Sequence, residues 1–256
     1  MLKKIFILFR LGRKLARSDI LAILSKFKKP PLGIKIIFQI LSFSFSAPNK
    51  TNLNENEGAR LSKSLQSMGT TFIKLGQFLV TRPDIIGDDL AKQLEGLQDR
   101  LPAFTLSEAK AIIKKDLGDD TFNSIIDLSE PVAAASIAQV HKAKINDNGT
   151  IKDVAIKILR PDIKKVFNEE IDALMLFAFF IESFIKKTKR LKLIEVVFLL
   201  KEITNLEMDL RFEAAAANVY AENTKNDAGF RVPIIYWNFT SENVMTLDWV
   251  DGVSIR

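Results

Sequence analysis

The chain has 256 residues, 47% of them hydrophobic, so it can form one or two domains with a substantial core and is not disordered as a whole. It contains no cysteine, which excludes a disulfide framework, an iron–sulfur cluster and a cysteine nucleophile. The single histidine, His141, excludes a metal site built from several histidines.

The positive charge is concentrated at the N-terminus. The first 40 residues carry ten Lys or Arg and one Asp, whereas the remaining 216 carry 27 basic and 30 acidic residues. We therefore expect no nucleic-acid partner. Residues 1–46 are predicted to be a basic amphipathic helical segment, in which one face of the first helix carries Arg10, Arg13, Lys14 and Arg17. Such a helix can lie on anionic lipid, although an ordinary surface helix has the same pattern.

Membrane-spanning segments are not expected in this chain. The longest apolar runs, at 34–47 and 173–181, are shorter than the roughly 20 residues that a helix needs to cross a bilayer. Any contact with a membrane would therefore be peripheral in this part of the sequence. Residues 47–57 are polar and rich in turn formers, and we interpret them as a linker.

Residues 58–124 are predicted to be a helical extension. Apolar residues recur at helical spacing from Leu61 to Leu79, and Pro83 ends that helix. A second helix is predicted over 88–100. A third begins at a cap formed by Thr105 or Ser107, with Glu108 in its first turn.

Residues 125–256 predict an antiparallel sheet of about five strands, interrupted by a helical insert at about 161–224. The predicted strands cover 125–128, 137–145, 154–159, 232–237 and 244–249. The Asn148-Gly149 pair predicts a hairpin turn between the second and third strands. Within the insert we expect helices over 163–186 and 191–224. The fold class is therefore α+β.

The segment VAIK at 154–157 contains the strongest local signal. It matches the strand of protein kinases whose lysine contacts the α- and β-phosphates, although for these four residues alone a lysine on an edge strand is the simpler explanation. A glycine-rich loop is impossible, because the eleven glycines are never closer than seven residues apart. Alanines occupy the corresponding loop, and they adopt positive φ less readily than glycine. The loop is either a stiffer phosphate-binding loop or a tightly packed alanine turn.

The alanine-rich sequence AAASIAQVH at 133–141, followed by VAIK, resembles the UbiB family of atypical kinase-like proteins. Two further motifs agree. KLGQ at 74–77 resembles the KxGQ motif of the family, and EMD at 207–209 resembles its ExD motif. The resemblance covers about residues 58–256. It implies a kinase-like N-lobe with a helical extension that carries KxGQ, ending at the hinge strand, with the C-lobe absent.

The resemblance also implies roles for individual residues. Lys157 would contact phosphate, and Glu213 would pair with Lys157. The KxGQ helix would cover the active site, where Lys74 could pair with Glu207 or Asp209; an intrahelical pair of Glu207 with Arg211 is the alternative. The candidate catalytic residues are Lys157, Glu213, Lys74, Gln77, Glu207 and Asp209. The candidate nucleotide-binding residues are Ala133, Ala134, Ala135, Ser136, Lys157 and Asp248. For His141 we expect a structural role.

The function implied by the resemblance is ATP-dependent support of ubiquinone biosynthesis at the cytoplasmic face of the inner membrane. It would use ATP or ADP with Mg²⁺, through ATPase or small-molecule kinase chemistry. The implied partners are a membrane surface or an isoprenoid lipid, and ubiquinone-biosynthesis proteins. No DFG sequence occurs, so we expect the metal ligands in the missing C-lobe and none here. Whether the chain is an enzyme stays open; the alternatives are a non-catalytic nucleotide-sensing or lipid-facing scaffold, and an inactive truncated product.

Overall fold

The computed structural model describes residues 57–95, 97, 101–184 and 186–253. The predicted basic segment 1–46 and nearly all of the predicted linker 47–57 lie outside the described residues. The chain divides into two compact units. The first is formed by Met1–Asp99 and Lys165–Glu202, and the second by Arg100–Lys164 and Ile203–Arg256.

The described residues of the first unit include four helices between 57 and 94. They are α1 (Glu57–Met68), α2 (Thr70–Val80), α3 (Pro83–Ile86) and α4 (Asp88–Leu94). The apolar repeat predicted from Leu61 to Leu79 is divided between α1 and α2 at Gly69, whose φ of 106° favours glycine. The predicted helix over 88–100 ends earlier, at Leu94.

The apolar faces of α1, α2 and α4 pack against one another in this unit. The buried residues of these helices and of the segment that follows them are Leu61, Leu65, Met68, Phe72, Ile73, Leu90, Ala91, Leu94 and Leu97. Gly76 also lies among these buried residues, where there is no room for a side chain. A β-carbon at its position would come within 2.5 Å of the Leu97 side chain and 2.8 Å of the Leu65 side chain. The glycine of the KxGQ motif therefore permits the close packing of α2.

In the second unit, two helices precede the sheet, α5 (Leu106–Leu117) and α6 (Asp119–Asn123). Thr105, and not Ser107, caps α5. The Thr105 hydroxyl accepts a hydrogen bond of 3.2 Å from the Glu108 backbone N–H, and the Glu108 carboxylate accepts one of 2.9 Å from the Thr105 N–H. This reciprocal capping box fixes the start of the helix.

The predicted five-stranded antiparallel sheet is confirmed. Its strands are β1 (Ile125–Ile126), β2 (Pro131–Ala134), β3 (Ala138–Asp147), β4 (Thr150–Leu159) and β5 (Val244–Asp248). The order is β1-β3-β4-β5, and β2 also pairs with β3. The predicted turn is confirmed as well, with positive φ at both Asn148 (49°) and Gly149 (86°), as a type I′ hairpin requires.

The strand predicted at 232–237 is wrong. That segment makes one isolated bridge to the sheet, between Ile235 and Leu247, and continues into a 3₁₀ turn at Trp237–Phe239. Pro233 lies inside the run and lacks the N–H that a strand ladder needs. The fifth strand is instead β2, which includes the first alanines of the predicted loop.

One face of the sheet packs against α5. The buried cluster is formed by Ala109, Ile113, Ala143, Ile145, Val154, Ile156, Ile158, Phe239 and Val244. Side chains alternate between the two faces of a strand. Since Ile156 and Ile158 of β4 point into this cluster, Lys157 between them projects from the opposite face.

The helical insert contains α7 (Ile163–Phe184), a 3₁₀ turn (Lys186–Leu191), α8 (Leu193–Glu207) and α9 (Leu210–Asn223). The prediction of one continuous helix over 191–224 is wrong, because Met208 and Asp209 are not helical and separate α8 from α9. The Asp209 side chain caps α9 by accepting from the Arg211 N–H. α9 packs against β5 in the second unit. Among the helices of the described ranges, none is both long enough and apolar enough to traverse a bilayer.

Candidate nucleotide site

The centre of the candidate site is an ion pair between β4 and α9. The Nζ of Lys157 lies 2.7 Å from each carboxylate oxygen of Glu213, 56 positions further along the chain. The Lys157 side chain is 25% exposed and that of Glu213 is 49% exposed, so the pair is partly solvated. The sheet and α9 thus hold a charged amine on the face opposite the core, where an anionic ligand can reach it.

The neighbours of Lys157 on its face of the sheet follow from the strand register. Val140 of β3 and Met245 of β5 are its cross-strand partners. Ala133 of β2 pairs in turn with Val140. The structure therefore places part of the alanine-rich segment on the same face as Lys157, with a largely apolar surface between them.

The alanine-rich loop is the tip of the β2–β3 hairpin. Ala133 and Ala134 are in β2, and the Ala135 N–H donates to the Ala138 carbonyl over 2.8 Å. Ser136 is fully buried. None of these alanines has the positive φ that glycine would favour. The strand and the closed turn can therefore be built from alanine.

The ExD residues lie at the break between α8 and α9. The Asp209 carboxylate accepts two hydrogen bonds from the Arg211 side chain, of 2.9 Å to Oδ1 and 2.7 Å to Oδ2. Hydrogen bonds from Arg211 hold the pKa of Asp209 below its usual value. Arg211 thus pairs with Asp209 in the structure. Lys164 and Glu242 form an ion pair close by. The charge of Lys164 also lowers the pKa of Asp209, and that of Glu242 also raises the pKa of Arg211.

The KxGQ residues belong to the first unit, whereas the ExD residues belong to the second. Lys74 and Gln77 lie on α2 and are half-buried, and Glu207 at the end of α8 is also half-buried. The pairing of Lys74 with Glu207 or Asp209, and the closure of the site by this helix, stay predictions.

Asp248 does not lie on the same face of the sheet as Lys157. It pairs with Val154, so its side chain projects from the core face of the sheet. Its carboxylate accepts hydrogen bonds from the Tyr236 hydroxyl (2.7 Å), the Arg231 guanidinium (2.9 Å) and the Ile234 N–H (3.3 Å). Burial opposes ionisation, but these donors outweigh it and lower the pKa of Asp248. Burial and the same carboxylate raise the pKa of Tyr236 to about 12.

His141 is part of a buried polar network. Its Nδ1 lies 2.7 Å from the Ser129 carbonyl oxygen, which can only accept, so Nδ1 carries the proton. Its Nε2 then accepts from the Gln139 amide over 2.9 Å. Burial lowers the pKa of His141, and the ring is neutral at pH 7. The geometry agrees with the structural role expected for this residue.

Two residues near the loop were missed by the sequence analysis. Arg160 donates from its guanidinium to the Ala135 carbonyl, and Gln139 hydrogen-bonds the backbone of Phe104. Gln139 lies in the sequence AAASIAQVH, on which the family resemblance rests. That motif did not indicate what the side chain does. No sequence feature distinguished Arg160. In the described ranges, no group of three or more His, Asp or Glu side chains is arranged to hold a metal ion.

The chain is similar to known proteins over most of its length. Residues 96–256 match the family model of the ABC1 atypical kinase-like domain. The chain is 35% identical over 226 residues to the probable protein kinase UbiB of Marinobacter nauticus, across 88% of this chain and 40% of that relative. For the protein of the same description from Azotobacter vinelandii, identity is 37% over 199 residues, or 77% of this chain and 36% of the relative.

The chain thus spans at most about 40% of the length of these curated relatives. Its match to the family model covers more than half of its residues, and its similarity to the relatives extends over more than three quarters. The alanine-rich hairpin, the lysine strand and its glutamate partner all lie inside the matched region. The chain belongs to the family of ABC1 atypical kinase-like proteins that includes the UbiB proteins.

Proposed function

We propose that this chain binds an adenine nucleotide, ATP or ADP, through Lys157 and the alanine-rich loop. The observation that carries the proposal is the ion pair in which both carboxylate oxygens of Glu213 lie 2.7 Å from the Lys157 Nζ. In kinase-type sites a strand lysine contacts the α- and β-phosphates while a helix glutamate orients it. The present pair has the same residue types on the same kinds of element.

The electrostatics support an anionic ligand. Lys157 is 25% exposed on its face, so its ammonium can be approached without unfolding. Glu213 neutralises the amine when the site is empty and keeps it extended. A nucleotide would add phosphate oxygens to this arrangement, and ATP would supply a transferable phosphoryl group. The role of the chain's own residues is to bind and orient those phosphates.

For the whole protein we propose ATPase or small-molecule kinase chemistry that supports ubiquinone biosynthesis at a membrane surface. The relatives are described as probable protein kinases, which supports phosphoryl transfer in general. The ubiquinone role is suggested by the resemblance to the UbiB family.

Equilibrium binding of ATP and ADP to the 256-residue chain, measured by calorimetry, tests the nucleotide proposal. We expect Lys157→Met to weaken binding by roughly tenfold or more, since hydrogen bonds between charged groups are worth about 1.5–3 kcal/mol. Lys114→Met is the matched control, because Lys114 is an exposed lysine of the same unit that pairs with Asp119. No binding by the parent chain, or equal affinity in Lys157→Met, would refute the proposal.

The membrane proposal needs a separate measurement. Flotation of the chain with anionic and neutral lipid vesicles, at low and high salt, tests the predicted basic segment. We expect binding to anionic vesicles that weakens as salt rises and that is lost when residues 1–29 are removed. Equal binding to both vesicle types would contradict electrostatic attachment of the chain to the membrane.

A further inference from the structure

Arg160 connects two backbone segments at the end of β4. Its Nε and Nη2 donate to the Ala135 carbonyl over 3.0 and 2.8 Å. Its Nη1 donates to the Pro102 carbonyl over 2.8 Å, and its Nη2 also reaches the Leu101 carbonyl at 3.3 Å. A single planar guanidinium therefore holds the tip of the alanine-rich loop against the segment that precedes α5.

The backbone of Arg160 holds the same loop from its other side. The Arg160 N–H donates to the Ile137 carbonyl over 2.9 Å. Within the loop, the Ala135 N–H donates to Ala138 over 2.8 Å. Carbonyl groups on both sides of Ser136 are thus fixed by one residue, and the turn has little freedom to open.

The anchoring segment, residues 101–104, is itself immobilised. The Gln139 side chain accepts from the Phe104 N–H over 3.0 Å and donates to the Phe104 carbonyl over 3.1 Å. Gln139 is 1% exposed and its amide also bonds to His141, which is fully buried. The loop is therefore attached through Arg160 to a segment that a buried network holds in place.

We propose that Arg160 is the positioning residue of the alanine-rich loop, fixing the conformation in which the loop receives the phosphates of a nucleotide. This inference rests on the proposed nucleotide binding. The hydrogen bonds of Arg160 supply the rigidity that the small side chains of the loop cannot provide by packing. Glycine-rich loops close around phosphate by backbone freedom, whereas this loop is preorganised by a guanidinium that lies behind it.

Amide hydrogen exchange of the nucleotide-free chain tests the attachment, with Arg160→Met compared with the control Lys114→Met. We expect exchange of the Ala135 amide to accelerate about tenfold or more in Arg160→Met, because several hydrogen bonds from a charged donor are lost. The amide of Ile156, in the centre of the sheet, reports global stability and should change much less. Unchanged exchange at Ala135, or equal acceleration at Ile156, would overturn the proposal.

Nucleotide affinity then tests the functional consequence. We expect Arg160→Met to weaken ATP binding by about tenfold and to change adenosine binding far less, since the loop acts on phosphates. Arg160→Lys should behave like Arg160→Met, because a lysine keeps the charge but cannot form the fork of hydrogen bonds. If Arg160→Lys retained the parent ATP affinity, Arg160 would act through its charge and the positioning role would be wrong.

The two proposals can fail separately. Lack of nucleotide binding by the parent chain would refute the proposed function, while the exchange experiment still decides whether Arg160 holds the loop. Faster exchange at Ala135 together with unchanged ATP affinity would overturn the link between the attachment and binding.

Discussion

The ion pair between Lys157 and Glu213 can be tested for its energetic coupling. Lys157→Met removes the charge and keeps most of the aliphatic chain, and Glu213→Gln removes the charge and keeps the shape. A single substitution leaves the partner without its counter-charge, so each one measures more than the pair. The double-mutant cycle isolates the interaction between the two side chains.

The expected magnitude follows from the geometry. Both carboxylate oxygens are engaged at 2.7 Å, which favours a strong contact, but the side chains are 25% and 49% exposed, which screens it. Exposed pairs contribute about 0.2–1 kcal/mol, and contacting residues in a shielded site contribute more. We expect a coupling of about 1 kcal/mol, or roughly fivefold in the unfolding equilibrium constant.

Urea denaturation of the parent chain, the two single variants and the double variant measures this coupling. The matched control is the cycle for Lys114 and Asp119, a single contact of 2.9 Å in the same unit whose side chains are 57% and 66% exposed. That pair should couple by about 0.3 kcal/mol or less. A coupling for Lys157 and Glu213 that equals the control would refute the view that β4 and α9 hold a partly shielded pair.

Three further predictions concern the scaffold around the site. Gly76→Ala should lower the thermal midpoint: better helix propensity gains about 1 kcal/mol, but moving two buried leucines costs about 1–3 kcal/mol, and a raised midpoint would contradict the close packing. Thr105→Ala should reduce the free energy of unfolding by about 1 kcal/mol in urea, and no loss would mean that the capping box is not formed in solution. The folded pKa of Asp248 is depressed, so its contribution to stability is present above the unfolded pKa, near 3.8, and is lost as pH falls through the lower folded value. Asp248→Asn should therefore flatten the pH dependence of stability in that acidic range, and an unchanged acid limb would contradict the burial of this carboxylate among its donors.

Local chemistry determined several elements before any tertiary structure was known. The Asn148-Gly149 turn, the α5 cap at Thr105 and the apolar strand around Lys157 are all encoded within a few residues. Each depends on a backbone conformation or a hydrogen bond between near neighbours, so a short window of sequence contains the cause. These features are confirmed in the structure.

Two predicted elements differ from the structure because a second local signal opposed their apolar pattern. The segment 232–237 has strand-like composition, yet Pro233 lacks an N–H and the segment makes one bridge to β5. The break at Asp209 depends on its side chain capping α9, which competes with continuing the helix. In both cases a local feature, a proline without an N–H or a side-chain cap, outweighed the apolar pattern on which the prediction rested.

For the candidate site, the sequence supplied the residue types through their motifs, and the fold supplied their arrangement. Lys157 and Glu213 meet because strand alternation directs the lysine away from the core and α9 packs against β5. The same alternation sends the Asp248 side chain to the other face, although Lys157 and Asp248 are both candidate nucleotide-binding residues. Arg160 could not be identified in advance, because its partners are backbone carbonyls 25 and 58 residues away, and backbone acceptors have no sequence signature.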